Sequence, residues 1–172
     1  MADFTNIRTE LQQFFPTIRA DFIKKIERDF VDCADMFDTH AANICYDRRY
    51  ARYCVVRGYT SYDRYAENPV RTLNVPRIEK HADEYAQAQI DAFVLKLERK
   101  LSDLDEVNVD SINLHGFEFV LSGKRGDDNV TVEQRVVFKC SSKGTPFVQW
   151  PARIYVNNKF TSEKAFKEMV AA

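Results

Sequence analysis

The sequence predicts an α+β fold, in which about four N-terminal helices pack on a three-stranded antiparallel meander with a C-terminal helix. Apolar residues recur at spacings of three and four before Asp105, and at a spacing of two after it. Only five glycines occur in 172 residues, which disfavours a turn-rich sandwich or barrel. We therefore expect a single domain over residues 1–172, with residues 1–106 helical and residues 107–172 forming the meander and the last helix.

Two amphipathic helices are predicted at the N-terminus. Residues 4–15 give a short helix, and Pro16 suits the first turn of the next one, where its missing N–H has no intrahelical partner. The second helix should extend to Phe37, because its apolar residues recur every three or four positions. These residues are Ile18, Phe22, Ile26, Phe30, Cys33 and Phe37.

A third helix is predicted in a tyrosine-rich segment. Four residues share one face at helical spacing: Tyr46, Tyr50, Tyr53 and Arg57. Gly58 is the expected terminator. Three further tyrosines recur at every third residue, which fits a short helix and a turn equally well: Tyr59, Tyr62 and Tyr65. The dipeptides Asn68-Pro69 and Val75-Pro76 then bracket a loop.

The longest helical pattern runs from Arg77 to Leu104. A helix of this length extends on the order of 40 Å, which exceeds what the core of a small domain normally covers. Packing within the chain is the favoured explanation for the surplus length. The alternative is a homodimer formed through the 77–104 helix.

The three predicted strands follow. The first changes parity at His115-Gly116, which we interpret as a β-bulge. Residues 123–129 form the expected hairpin loop, and the second strand runs from Val130 to Cys140. The third runs from Val148 to Val156, and Pro151, which has no N–H for a ladder, makes it an edge strand. Asn157-Asn158 ends it, and Thr161 or Ser162 caps the last helix.

Residues 46–65 are the candidate functional site. They hold six of the eight tyrosines of the chain and five arginines. Tyrosine and arginine are typical of recognition rather than catalysis, since neither normally titrates near neutral pH. The expected partner contacts are Arg49, Tyr53, Arg57, Tyr59, Tyr62 and Arg64. The competing interpretation is structural, with the rings half-buried along the third helix and the arginines paired with acidic segments on either side.

The outer face of the sheet is a second candidate surface. Arg135, Lys139, Arg153 and Tyr155 would form a basic patch with aromatic residues, and the edge strand could accept a strand from a partner. The net charge of −1 is far from the basic balance of proteins that coat nucleic acid, although it leaves room for a local site.

Catalytic, metal and cofactor sites are not predicted. The three histidines lack a flanking catalytic motif, and there is no P-loop or dinucleotide fingerprint. The four cysteines lack the paired spacing of a zinc site, so we expect reduced, mostly buried thiols. The absence of a signal peptide and of a long apolar run predicts a cytoplasmic protein without membrane contact.

The sequence therefore favours a non-enzymatic intracellular binding protein that docks on another protein through its tyrosine- and arginine-rich segment. The alternative is a nucleic-acid-binding protein that uses the same segment together with the basic sheet face. A small enzyme without a recognisable motif is the third hypothesis.

Overall fold

The structure is a computed structural model that describes residues 4–32, 59–62, 65, 67, 71–141 and 146–171. The described helices are α1 (Thr5–Leu11), followed by a 3-10 turn (Gln12–Phe14), α2 (Phe15–Asp32), α3 (Val75–Leu101) and α4 (Glu163–Ala171). The described strands are β1 (Thr60–Tyr62), β2 (Arg71–Leu73), β3 (Glu106–Asn113), β4 (Glu118–Arg125), β5 (Asp128–Arg135), β6 (Val137–Cys140), β7 (Pro146–Gln149), β8 (Ala152–Val156) and β9 (Lys159–Thr161). The predicted α+β class is confirmed.

The chain divides into two compact units, which we name by their main content. The sheet unit comprises Met1–Pro16, Gln87–Val137 and Val148–Ala172, and the helical unit comprises Thr17–Ala86 and Phe138–Phe147. In the described residues, no helix is both long enough and apolar enough to cross a lipid bilayer.

The sheet unit is built on a five-stranded antiparallel sheet with the strand order β3-β4-β5-β8-β9. Its inner face carries alternating buried residues, among them Leu121, Val132 and Ile154, which lie side by side on β4, β5 and β8. Because alternate residues of a strand point to opposite faces, the residues between them form an outer face that is polar and more exposed.

Aromatic rings fill the core of the sheet unit. Phe119 is 1% exposed, and its ring centroid lies 5.9 Å from that of Phe14 and 5.8 Å from that of Phe93. Trp150 stacks on Phe93 with a centroid separation of 4.0 Å and an interplanar angle of 9°. Such ring pairs stabilise a core by about 0.5–1.5 kcal/mol each beyond the area they bury.

The helical unit has its own apolar cluster. Phe22 and Ile26 of α2 pack with Ile78 and Ala82 of α3. The β1–β2 ladder leads directly into α3, where Asn74 serves as the N-cap by accepting a hydrogen bond from the backbone N–H of Arg77 at 3.1 Å. The predicted long helix is therefore confirmed, and Val75-Pro76 forms its first turn rather than the edge of a loop.

Two further helix predictions can be compared with the structure. Pro16 lies in the first turn of α2, and Ser162 is the cap of α4, accepting a hydrogen bond from the N–H of Ala165 at 3.1 Å. The third helix predicted from Tyr46 lies outside the described residues. Tyr59–Tyr62 does not form a short helix, because after a turn at Tyr59 the chain enters β1.

The predicted three-stranded meander is wrong in its strand count. The change of parity at His115-Gly116 marks a tight turn between β3 and β4 instead of a β-bulge. Asn113 closes this turn, since its Oδ1 accepts hydrogen bonds from the N–H groups of His115 and Gly116 at 3.1 and 2.9 Å. The register of the β3–β4 pair shifts elsewhere, between Val109 and Ser111.

The second and third predicted strands are each divided in two. After Arg135 the backbone changes partners, because Arg135 N–H donates to Pro151 at 2.9 Å and Val136 N–H donates to Phe117 at 2.7 Å. β6 and β7 then form a separate two-stranded ladder. The hairpin between β4 and β5 is also shorter than predicted, with Gly126 at a φ of 56° beside Asp127.

The edge-strand prediction is also wrong. Pro151 lies between β7 and β8, where its lack of an N–H removes no ladder hydrogen bond, and β8 pairs with β5 on one side and β9 on the other. Strand addition at β8 is therefore excluded.

Candidate binding surface

Most of the predicted contact residues of the tyrosine- and arginine-rich segment lie outside the described residues. These are Arg49, Tyr53, Arg57 and Arg64. Tyr62 is placed only as part of the β1–β2 ladder, opposite Arg71.

Tyr59 lies against the core of the helical unit. Its ring makes edge contacts with Phe22 at a centroid distance of 6.1 Å and with His81 at 5.4 Å. Burial raises the pKa of the Tyr59 hydroxyl above its ordinary value. Tyr59 therefore holds the β1–β2 ladder against α2 and α3, and its ring is only half-exposed.

The outer face of the five-stranded sheet presents three residues that suit recognition. Arg153 and Tyr155 are two positions apart on β8 and so point to the same side. The antiparallel register places Phe160 of β9 opposite Tyr155, with ring centroids 6.1 Å apart. Phe160 is 68% exposed, which is unusual for a residue of that size. We call Arg153, Tyr155 and Phe160 the anchor trio.

The four residues of the predicted basic patch have different surroundings. Arg135 is on the outer face, but its Nε donates to Glu118 Oε1 at 2.5 Å. Lys139 lies on β6 in the helical unit and belongs to a different ladder. The structure therefore brings together only Arg135, Arg153 and Tyr155, with one of the two arginines already paired.

Of the two arginines on this face, Arg153 is the one that forms no ion pair with the residues that the structure describes. The register places it opposite Glu133, but no carboxylate of the described residues lies within ion-pair distance of its guanidinium. Glu133 accepts a hydrogen bond from the Tyr155 hydroxyl at 3.3 Å instead. Arg153 is thus a charged group that an incoming carboxylate could neutralise.

A shallow cleft of about 480 Å³ lies over one end of the same face. Residues of the adjacent strands β4, β5 and β8 line it, among them Arg135 and Arg153. Val120 supplies an apolar patch between Glu118 and Glu133. Arg153 thus belongs both to this cleft and to the anchor trio.

The helical unit contains a second group of titratable residues. Lys25 donates from Nζ to Oδ1 of Asp29, one helical turn further along α2, and Asp29 is 1% exposed. Its Oδ2 has no hydrogen-bond donor in the described part of the chain. Cys140 is nearby on β6 as a free, exposed thiol, whereas the sequence predicted mostly buried thiols, and partial burial raises its pKa. No group of three metal-ligating side chains occurs among the described residues.

Sequence reasoning missed Phe160. The signal lies in Asn157-Asn158, which predicts a hairpin turn as well as the end of a strand. Both asparagines have positive φ, 49° and 64°, as a two-residue hairpin turn requires. Such a turn folds β9 back onto β8 and brings Phe160 beside Tyr155.

Comparison of the chain with protein-family models, with curated proteins and with solved structures finds no match. The functional argument therefore depends on the chemistry of the described surfaces.

Proposed function

We propose that this chain is a non-enzymatic binding protein that docks on another protein. Within the described part of the chain, the proposed point of contact is the anchor trio of the outer sheet face. The observation that supports the proposal is the pairing of the exposed Phe160 with Tyr155 beside Arg153, which forms no ion pair within the described part of the chain. Tyrosine and arginine dominate the binding energy of protein interfaces, and phenylalanine is enriched there. Strands also hold such residues in fixed positions, which reduces the entropy lost on binding.

The charge of the face favours a protein over a nucleic acid. Two glutamates, Glu118 and Glu133, lie among the arginines of the outer face and would repel phosphate groups. A nucleic-acid site gains most of its affinity from uncompensated basic residues. Of the described residues on this face, Arg153 and the exposed Lys124 could supply two such contacts, which are too few for that mode of binding.

The chemistry of the face also defines the partner segment. A carboxylate of the partner would pair with Arg153, and an apolar or aromatic side chain would cover Phe160 and Tyr155. A second, smaller apolar side chain would enter the cleft above Val120. The proposed partner therefore presents an acidic residue next to apolar ones.

The tyrosine- and arginine-rich segment stays in the proposal as a further contact region. Its predicted contacts are Arg49, Tyr53, Arg57, Tyr59, Tyr62 and Arg64. A cytoplasmic location, a single domain and a homodimer through the 77–104 helix likewise stay predictions.

The test compares four forms of the protein as bait in extracts of its native cells, with and without nuclease. They are the wild type, Tyr155→Ala, Phe160→Ala and the matched control Asn108→Ala. Asn108 is exposed on the outer face of β3, away from the anchor trio. The affinity of the recovered partner is then measured with purified components at two salt concentrations.

We expect each aromatic substitution to weaken binding by about 2 kcal/mol, or roughly thirtyfold, and the control to have no effect. Binding should survive nuclease and change little with salt. A complex that disappears with nuclease would support the nucleic-acid alternative. Equal affinity of the Tyr155→Ala and Asn108→Ala forms would contradict the proposal.

A further inference from the structure

A second cleft of the sheet unit has the properties of a small-molecule site. Its volume is about 390 Å³, within the range of roughly 300–1,000 Å³ that is typical of ligand sites. The C-terminal half of α3 supplies Lys96 and Lys100, the β7–β8 connection supplies Trp150, and the start of α4 supplies Glu163. We call it the lysine cleft. None of the anchor trio lines it, so this inference does not depend on the proposed function.

Lys100 is an unusually buried cation. Its side chain is only 11% exposed, and its Nζ lies 3.5 Å from Oε1 of Glu163. Burial lowers the pKa of Lys100, and the nearby carboxylate opposes this change only in part. Lysine side chains are seldom buried to this extent unless they are paired.

Glu163 does not neutralise the cleft. Its carboxylate is 54% exposed and is shared with Lys167, whose Nζ also lies 3.5 Å away. Lys96 is exposed, lies one helical turn before Lys100 and has no carboxylate partner among the described residues. Two lysines and one glutamate line the cleft, which leaves an excess of one positive charge.

Gln134 also lines the cleft. The residue is 2% exposed, and its Nε2 donates to the carbonyl of Pro151 at 2.7 Å, which fixes one polar group beside the cleft.

The remaining wall is apolar. Trp150 and Phe93 form a stacked pair that borders the cleft, and Leu97 lies beside them on α3. A cleft with an apolar wall and two cations is suited to a molecule that has an apolar end and an anionic end.

We propose that the lysine cleft binds a small organic anion, in which a phosphate or carboxylate group is joined to an apolar ring. The anionic group contacts Lys96 and Lys100, and the ring lies against Trp150. Glu163 competes with the anion for Lys100.

The test uses Trp150, the one tryptophan of the chain, as a reporter. Its indole N–H gives a single resonance in a ¹H–¹⁵N spectrum of the full-length protein. The probes are phenyl phosphate and phenylacetate, which combine a ring with an anion, and inorganic phosphate and phenol, which each supply one half. We expect phenyl phosphate or phenylacetate to shift this resonance saturably with a Kd below about 1 mM. Inorganic phosphate and phenol should each bind at least tenfold more weakly. The better combined probe identifies the preferred anion.

Three variants test the roles of individual residues. Lys100→Met should weaken the better probe about tenfold, and Glu163→Gln should strengthen it, because it removes the competing carboxylate. Lys164→Met is the matched control, since this lysine is 87% exposed and pairs with Glu168 on the solvent side of α4. The probe should also raise the pKa of Lys100 in the wild type, measured by ¹³C titration of its ε-carbon.

The inference is overturned by any of three results. The first is no saturable shift of the Trp150 resonance with either combined probe. The second is binding that is equally strong in the Lys100→Met form, verified as folded by its spectrum. The third is weaker binding in the Glu163→Gln form, which would show that the ion pair has only a structural role.

Discussion

The buried ion pair of α2 gives the sharpest prediction for stability. Asp29 is 1% exposed, and the side chain of its partner Lys25 is 20% exposed. At an effective dielectric constant of about 20, two unit charges about 4 Å apart attract each other by about 4 kcal/mol. The loss of hydration offsets most of this, so the intact pair contributes little net stability. Lys25→Met is nevertheless expected to cost about 3–5 kcal/mol, because it leaves a buried carboxylate with no partner.

The two ends of the pair should respond differently. Asp29→Asn leaves a lysine that already reaches solvent, so we expect a smaller loss of about 1–2 kcal/mol. The double variant Lys25→Met with Asp29→Leu replaces both charges by apolar groups, and its stability should lie within about 1 kcal/mol of the wild type. A lysine variant that is rescued by a second substitution is the signature of a buried charge.

The assay is urea unfolding followed by far-UV circular dichroism. Lys24→Met is the matched control, because Lys24 is the adjacent, exposed lysine of α2. A total stability of about 5–15 kcal/mol makes the expected loss easily measurable. The reasoning is refuted if Lys25→Met costs no more than Lys24→Met, or if the double variant is no more stable than Lys25→Met alone.

Three further outcomes follow from single residues. Gly123→Ala should destabilise the protein by about 1–3 kcal/mol, because a Cβ there would lie 2.6 Å from the backbone oxygen of Glu106. Thermal unfolding measures this loss, and an unchanged midpoint temperature would contradict the close approach of β3 and β4. Cys140 should react with iodoacetamide at pH 8 more slowly than free cysteine, because burial raises its pKa and lowers the thiolate fraction. Peptide mapping measures the rate of its modification, and a faster reaction than that of free cysteine would contradict the prediction. The Lys100 ammonium lowers the pKa of Glu163 below its usual 4.5, so this carboxylate stabilises the fold above that pH, and the contribution is lost as the pH falls through the folded pKa. In Glu163→Gln, the free energy of unfolding should therefore depend less on pH in this range, and an unaltered pH dependence would refute the coupling.

The helices were predictable because their signal is local. The apolar stripe of α2 and the long pattern of α3 each repeat over many turns, and the buried residues Ile18, Phe22 and Ile26 are those of the predicted stripe. The start of α3 was missed by two residues, since Asn74 was not recognised as its cap.

The strands were harder to predict because a β-bulge and a tight turn have the same effect on the sequence pattern. Either one explains why the alternation of apolar residues is interrupted at His115-Gly116. What distinguishes them is Asn113, whose side chain closes a turn, and Phe117, which adopts a φ of 51° to leave it. The misinterpreted turn merged β3 and β4 into one strand and removed a strand from the predicted sheet.

The candidate surface shows why composition alone was insufficient. Arg135 and Arg153 look alike in the sequence, each two or three residues from an acid or an aromatic ring. The strand register distinguishes the two arginines. It places Glu118 opposite Arg135, with which it forms an ion pair, whereas Glu133, opposite Arg153, accepts a hydrogen bond from Tyr155. The same pairing rule brings Phe160 to Tyr155 across a two-residue turn. The surface that we propose as a contact site, with Arg153 beside two rings, is therefore a product of strand pairing, and a partner would have to match that spacing.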